Sequence, residues 1–526
     1  MPHVAKRFAP IPLWVEGHFL PLAKFSHRLM KNQPSLQIRL TAVFLLFCST
    51  ALFAQPHWPQ FRGPNGLGIS ASAQPPVQFG PDQNALWKFA TPAGHSSPCV
   101  WGDRVFLTGV DGKKLITLAV DRANGKELWR KSVSVEKLEA HHKTSSPVTA
   151  TPAADGERVY AYFGSFGLIA YGHNGQEAWR KAMPTPKNKY GMSASPILHK
   201  DALIQLIDTD GGDSRLLALN RKTGEPLWTQ ERTRFTAGWS TPLIWSHDGQ
   251  DEIVAVGVSR LMAYDPQTGS PRWWVDGFPQ ETVNSPVAGD GMLFASSAAL
   301  GGRGNEKTDP NTWRDLLKMD RNGDGKLQFD EIPDDYQLVL RPELPKDNPG
   351  YAFPAPFKAM YKNADTDKDD ALSEAEMKVS MAQFETFTKP VLMAIRPGGK
   401  DDAKQSIAWE MRRGVPEIPS PLYFQGDLYL MRDGGLLTCI EAKDGTVRYQ
   451  ERLGVGGQYS ATPVAAAGRI YVASQTGTVI VFKPGASAPE ILARNDLRES
   501  IMATPAFAEN TILVRTAGNL YAFGQR

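Results

Sequence analysis

Asp320, Asn322 and Asp324 put a side-chain oxygen at every second residue of a short polar run, and Glu331 follows seven residues later. Oxygen donors at that spacing can wrap a hard divalent cation, which takes roughly six to eight oxygen ligands. Gly325 permits the sharp turn in the middle of the run, and Lys326 offers its backbone carbonyl. Gln328 stands where a bridging water is common, and Glu331 can close the set with both carboxylate oxygens. A second run repeats the pattern with Asp365, Asp367, Asp369, Ala371, Ser373 and Glu376. Here Asp370 replaces the turn glycine and must adopt a left-handed backbone, which Asp tolerates better than most residues. Two cation sites are expected, the second weaker than the first.

Asp320 and Asp365 stand 45 residues apart (365 minus 320). Trp313, Leu316 and Leu317 precede the first run on one helical face. Phe357, Met360 and Tyr361 precede the second, and Met377, Met381 and Phe384 follow it. Helix, oxygen-rich loop and helix, twice over, resembles an EF-hand pair, and that resemblance implies calcium as the ion. Calcium is abundant outside the cytosol, where such modules bind at roughly 10⁻⁴–10⁻³ M, so a structural role for the ion is favoured over sensing.

The elements that must carry these loops follow from a repeat. Ser97-Pro98, Thr151-Pro152, Ser195-Pro196, Thr241-Pro242, Ser285-Pro286, Ser420-Pro421, Thr462-Pro463 and Thr504-Pro505 recur at intervals of roughly 42 to 54 residues, with one interval about three times longer. After five of them a turn glycine precedes an aromatic by four residues: Gly125/Trp129, Gly175/Trp179, Gly224/Trp228, Gly269/Trp273 and Gly445/Tyr449. The unit beginning at Thr151 reads as four short strands, with an alternating strand over 158–163 and hairpin turns at Asp155-Gly156 and Asn174-Gly175. Pro at the start of the first strand costs no ladder hydrogen bond. Four-stranded units at this period are blades of an all-β propeller.

The last unit ends without its fourth strand, and 85–89 (ALWKF) supplies an orphan copy ahead of the first. Eight blades closed by that N-terminal strand are therefore expected, or seven if one unit is degenerate. The long interval places both polar loops in an insertion over 303–389 within blade five, which divides the propeller into 56–302 and 390–526. The Trp series reads as packing between blades.

Residues 1–54 read as a leader. Lys31 and Arg39 precede the apolar run 40–47, and small residues follow it. The run is too short to span a bilayer. Met30 is a candidate true start, and Phe47 before Cys48 argues against lipid attachment. A periplasmic or extracellular location follows. With 58 basic and 55 acidic side chains, the net charge of +3 gives no reason to expect nucleic acid or an acidic membrane surface as partner. Cys99 and Cys439 fall at strand positions, too few for a disulfide framework, and read as buried small hydrophobes. His141-His142 could be metal ligands or a base, although a polar loop (EAHHKTSS) favours simple exposure. The run Asp208, Asp210, Asp213 could hold a cation or make a hairpin turn.

The blade pattern resembles the PQQ-like repeats of bacterial quinoprotein dehydrogenases and of the outer-membrane barrel-assembly propeller lipoprotein. The segment 58–64 (WPQFRGP) and the run GQYSATPVAAAGRIYVAS resemble a large group of secreted bacterial PQQ-like propellers. The resemblance covers about 56–300 and 391–526. Two functions follow as expectations: a binding or scaffolding module for a protein or small-molecule ligand at a propeller face, or a PQQ- and calcium-dependent oxidoreductase acting on an alcohol or sugar. Those dehydrogenases carry adjacent cysteines against the cofactor. No two cysteines are neighbours here, which favours the module.

Overall fold

The computed structural model describes residues 57–142, 145–279, 281–298, 312–339 and 356–525, and only the backbone of 382–388. The leader over 1–54 and parts of the insertion (303–311 and 340–355) lie outside the described residues.

Eight four-stranded antiparallel sheets form the propeller. Blades one to seven span 99–134, 153–182, 197–231, 243–276, 287–411, 422–452 and 464–496. Blade eight takes three strands from 506–524 and its fourth from Ala85–Ala90, which pairs antiparallel with Asn519–Gly524 through Trp87↔Ala522 and Phe89↔Leu520. The N-terminal strand thus closes the ring as expected. In blade five the second strand ends at Ser297, the third is Val391–Ile395, and the fourth, Ile407–Met411, carries Trp409. The strand expected to alternate, Arg158–Phe163, is instead buried almost throughout. A middle strand has neighbouring blades on both faces, so neither face meets water. The outermost strands do alternate, as in Glu177–Ala182, where the Trp179 ring is buried between exposed neighbours.

Successive blades lock through that aromatic. Trp129 donates its indole N–H to His173 O in the next blade (2.8 Å), Trp179 to Arg221 O (3.0 Å) and Trp409 to Ala442 O (3.0 Å). Trp87 and Trp228 do the same toward Arg122 O and Pro266 O. Each ring lies so close over the next blade's turn that only glycine fits: a Cβ on Gly175, at φ +81°, would sit 2.7 Å from Trp129. Blade four differs. Blade five's outer turn adds Asp401–Asp402 beside Trp273 and Trp274, and Trp273 donates to Glu252 Oε2 within its own blade (2.9 Å).

At the axis, a second set of contacts runs right around the molecule. The Ser97 N–H donates to Thr151 Oγ1 (2.9 Å), Thr151 to Ser195 (3.0 Å), Ser195 to Thr241 (3.0 Å) and Thr241 to Ser285 (3.1 Å). Ser285 donates to Ser420 (2.9 Å), Ser420 to Thr462 (3.2 Å), Thr462 to Thr504 (3.0 Å) and Thr504 back to Ser97 (3.0 Å). The residue before each recurrent proline is therefore one link of a closed hydrogen-bonded ring.

One side of the ring is covered by the segment after residue 56. Trp58 exchanges two backbone hydrogen bonds with Val100 (2.9 and 2.8 Å), and Pro59 O accepts from Ala154 N (2.7 Å). The chain then reaches the far side, where buried Arg62 donates to Pro286 O (3.3 Å) and Pro421 O (2.6 Å). Ile69–Ser70 finishes as a parallel strand on blade seven. Gly63, at φ +68°, makes the crossing possible, since a Cβ there would lie 2.4 Å from the Trp58 ring.

The insertion has its own core of Leu316, Leu327, Ile332, Phe357, Tyr361, Leu372, Met377 and Met381. Among the described residues, no helix is long and apolar enough to cross a membrane.

Thr151→Val keeps the shape of the side chain but strands the buried Ser97 N–H. We expect a loss of about 1–3 kcal/mol in urea unfolding, and a loss within the noise of an exposed substitution would show that the ring carries no stability.

Candidate functional site: an axial channel and two acidic loops

Side chains alternate along a strand, so the residue two before each proline-preceding Ser or Thr also faces the axis. This gives a second tier of His95, Thr149, Ser193, Trp239, Val283, Ile418, Ser460 and Met502 above the hydroxyl ring. Together the two tiers line a cavity of about 170 Å³, with Phe61 at its floor and Ser145 and Tyr190 from loops at its mouth. The mouth opens on the face that carries the loops entering each first strand. Antiparallel order puts the turns between second and third strands on the same face, so blade five leaves for its insertion after Ser297 and returns at Val391 on the mouth side.

Among the described residues, the lining has no carboxylate. Tyr190 meets Trp239 edge-to-face (5.2 Å), and His142 meets Tyr190 likewise (5.4 Å). The Trp239 indole is fixed by Gly191 O (2.8 Å). Burial, helped by Arg515 and His141, pulls His95 down to about 4, so it is neutral at physiological pH. Two guanidiniums flank the channel without an acid partner among the described residues. Arg62 bonds to Pro286 O and Pro421 O, and Arg515 bonds to Ser96 O, Ser96 Oγ, Thr108 O and Pro92 O. Burial pulls both down to about 9.

These residues do not fit PQQ chemistry of the dehydrogenase kind. Among the described residues, the cavity offers a tryptophan but no carboxylate to act as base or to hold a calcium beside the cofactor. Cys99 and Cys439 are buried in different blades.

The two acidic runs fold alike. Glu331 accepts from the backbone N–H of Arg321 (2.8 Å), Asn322 (3.2 Å) and Gln328 (3.0 Å). Glu376 accepts from the equivalent Thr366 (2.8 Å), Asp367 (3.3 Å) and Ser373 (2.9 Å). Asp320 accepts from Gly325 N (2.9 Å), as Asp365 does from Asp370 N (3.1 Å). Asn322 Oδ1 and Asp324 Oδ1 accept from the N–H two residues on, matched by Asp367 and Asp369. Gly325 and Asp370 both have positive φ, +78° and +62°. The loops join through a two-stranded bridge, Leu327↔Leu372 and Gln328↔Ala371.

Their electrostatics differ. Asp365, Asp367 and Asp369 bring carboxylate oxygens within 4.8 Å of one another. Asp365 is 6% exposed, and its Oδ1 has no hydrogen-bond partner among the described residues. Glu376 is held at about 2: burial opposes ionisation, but hydrogen bonds from Ser373, Thr366 and Asp367 outweigh it. In the first loop Asp324 Oδ2 instead accepts from Gln328 Nε2 (2.7 Å) and Asn322 Nδ2 (3.1 Å). Lys326 reaches across to Asp369 Oδ2 (2.6 Å). Helix Phe357–Ala364 enters the second loop and Glu374–Thr388 leaves it. The first is entered by Thr312–Leu316 and left by a single turn, Phe329–Glu331, which Pro333 stops from extending.

The family model described as outer membrane protein assembly factor BamB matches residues 80–209, 212–317 and 398–523, well over half of the chain. The chain belongs to this family. Among curated BamB relatives, that of Burkholderia pseudomallei is 24% identical over 283 residues, covering 50% of this chain and 68% of the relative. The quinohemoprotein alcohol dehydrogenase ADH IIB of Pseudomonas putida is 27% identical over 233 residues, covering 40% of this chain. The match spans only 31% of that enzyme's length. The computationally designed Ika8 protein superposes with a TM-score of 0.51 at 10% identity, covering 84% of this chain and all of that one, which bears on fold alone.

Other sequence candidates resolve as structure. His141 is exposed, with Nδ1 near Glu139 O (3.2 Å). Asp208 is fully buried in a bidentate pair with Arg232 (2.8 and 2.9 Å), and Asp213 accepts from Thr209 Oγ1, so the run is a turn. Sequence reasoning used the Ser-Pro and Thr-Pro pairs to count the blades and assigned their hydroxyls no hydrogen bond. It also missed Arg62 and Glu139, which nothing but burial distinguishes from surface charges.

Glu139 ties the loop after blade one to Met192 N (3.1 Å), while its buried Oε1 has no partner among the described residues. Burial raises its carboxyl from the ordinary 4.5 to about 8, against the Met192 bond. The folded state therefore binds the proton more tightly, and stability falls as pH rises through that window. Glu139→Gln should be more stable than the wild type at pH 8, by about 1–3 kcal/mol, and match it below about pH 4. A gain equal at both pH values would refute the assignment.

Proposed function

We propose that this chain is an exported calcium-binding propeller that serves as a binding or scaffolding module. The observation that carries the calcium reading is the convergence of Asp365, Asp367 and Asp369 around the unpartnered, buried Asp365 Oδ1. The matching hydrogen-bond pattern around Asp320, Asn322, Asp324, Lys326, Gln328 and Glu331 supports a paired site of the EF-hand kind. Glu331 and Glu376 each present two oxygens already aimed at the loop. Calcium would hold the insertion folded beside the channel mouth, with Lys326 and Ala371 supplying backbone carbonyls. The leader-like sequence over 1–54 supports a periplasmic or extracellular location. Membership of a family described by an assembly factor supports a protein or small-molecule ligand at a propeller face.

Glu331→Gln combined with Glu376→Gln should abolish calcium binding in a calorimetric titration while leaving the β-sheet circular dichroism unchanged. Loss of the propeller signal as well would show the insertion to be integral to the ring. The module reading also expects the purified protein to stay colourless after incubation with PQQ in millimolar calcium and desalting. Stoichiometric retention of the cofactor would overturn it in favour of the oxidoreductase.

A further inference from the structure

We propose that the axial channel binds a small oxyanion group, a carboxylate or a phosphate, at the ring of eight hydroxyls. A hydroxyl has one proton to donate as well as lone pairs to accept with. Each ring oxygen accepts one backbone N–H from the preceding blade, yet none of the eight donates to an acceptor among the described residues. All are buried, 2–6% exposed, and all line the cavity. Eight O–H donors therefore converge on one small space, and buried donors left unpaired are costly.

Charge selects what fills that space. Arg62 contacts the residues immediately after Ser285 and Ser420, and Arg515 contacts Ser96 immediately before Ser97. Among the described residues neither guanidinium has a carboxylate partner, and the lining supplies none. Buried cations without a counter-charge are strongly disfavoured, and an anion beside them relieves that cost. A water column could meet some of the hydroxyl protons, but it would leave both cations uncompensated. The cavity of about 170 Å³ holds a small anion with a few waters. Trp239, Val283, Ile418 and Met502 above it would accept an apolar body attached to that group.

The test replaces chloride with phosphate, acetate or benzoate at constant ionic strength, following the unfolding midpoint and calorimetric heats of the full chain. Ser193 lies in the upper tier and outside the ring, so Ser193→Asp adds a negative charge at the mouth without breaking a ring bond. Ser193→Asn is its neutral control, and Thr149→Asp with Thr149→Asn repeats the comparison from another blade. The expected result is a saturable rise in midpoint for the wild type and both Asn variants, with binding at least roughly tenfold weaker in both Asp variants. Benzoate binding more tightly than acetate would assign the ligand to a larger carboxylate, and phosphate binding best would assign it to a phosphate group. No saturable rise, or the same rise in the Asp variants, overturns the proposal. Repeating the series with a calcium chelator separates it from the metal reading, because the channel response should be unchanged.

Discussion

The geometry of the whole ring rests on the closed chain of N–H to hydroxyl hydrogen bonds around the axis, which ties each blade to both of its neighbours. Every link has the same donor, the backbone of a residue preceding proline, and the same acceptor, a short hydroxyl side chain. Proline matters because it biases the residue before it toward extended backbone, which aims both N–H and Oγ along the ring. The links are mutually dependent: shifting one blade outward breaks two of them. The indole contacts do the same work at the periphery, where Trp129, Trp179 and Trp409 reach the next blade's turn. Inner and outer fastenings together leave a blade little freedom to slide or tilt.

Much of this was legible in the sequence. The spacing of Ser-Pro and Thr-Pro pairs gave eight units, the orphan strand at 85–89 gave the closure, and the tripled interval placed the insertion. These signals are local, so each can be read within one repeat. The hydrogen-bonded ring joins residues 42 or more positions apart, and Ser or Thr at one site is not unusual enough to announce it. The upper tier is harder still, because His95, Ser193, Trp239 and Met502 share a position and no chemistry. Arg62 and Arg515 read as ordinary basic residues until the fold removes them from water.

The acidic loops show a different limit. Residue types and spacing specified their conformation well: Asp370 takes the left-handed backbone its position demands, and Glu331 and Glu376 fold back over their loops. The sequence favours the first loop because it has the glycine. The fold instead gathers three carboxylates in the second and sends Lys326 from the first loop to one of them. That contact crosses 43 residues (369 minus 326), and pattern matching has no means of anticipating it.

The strand Ala85–Ala90 has a consequence for the life history of the chain. It is made before the sheets of blades one to seven, yet its partner, Asn519–Gly524, is made after them. Until that partner is made, Ala85–Ala90 stands unpaired and the ring has two raw sheet edges, the kind of surface on which strands of other molecules pair. Such long-range closure is slow. The fold therefore commits the chain to a waiting period, and any cell that makes it must keep the unfinished ring apart from its neighbours until its two ends meet.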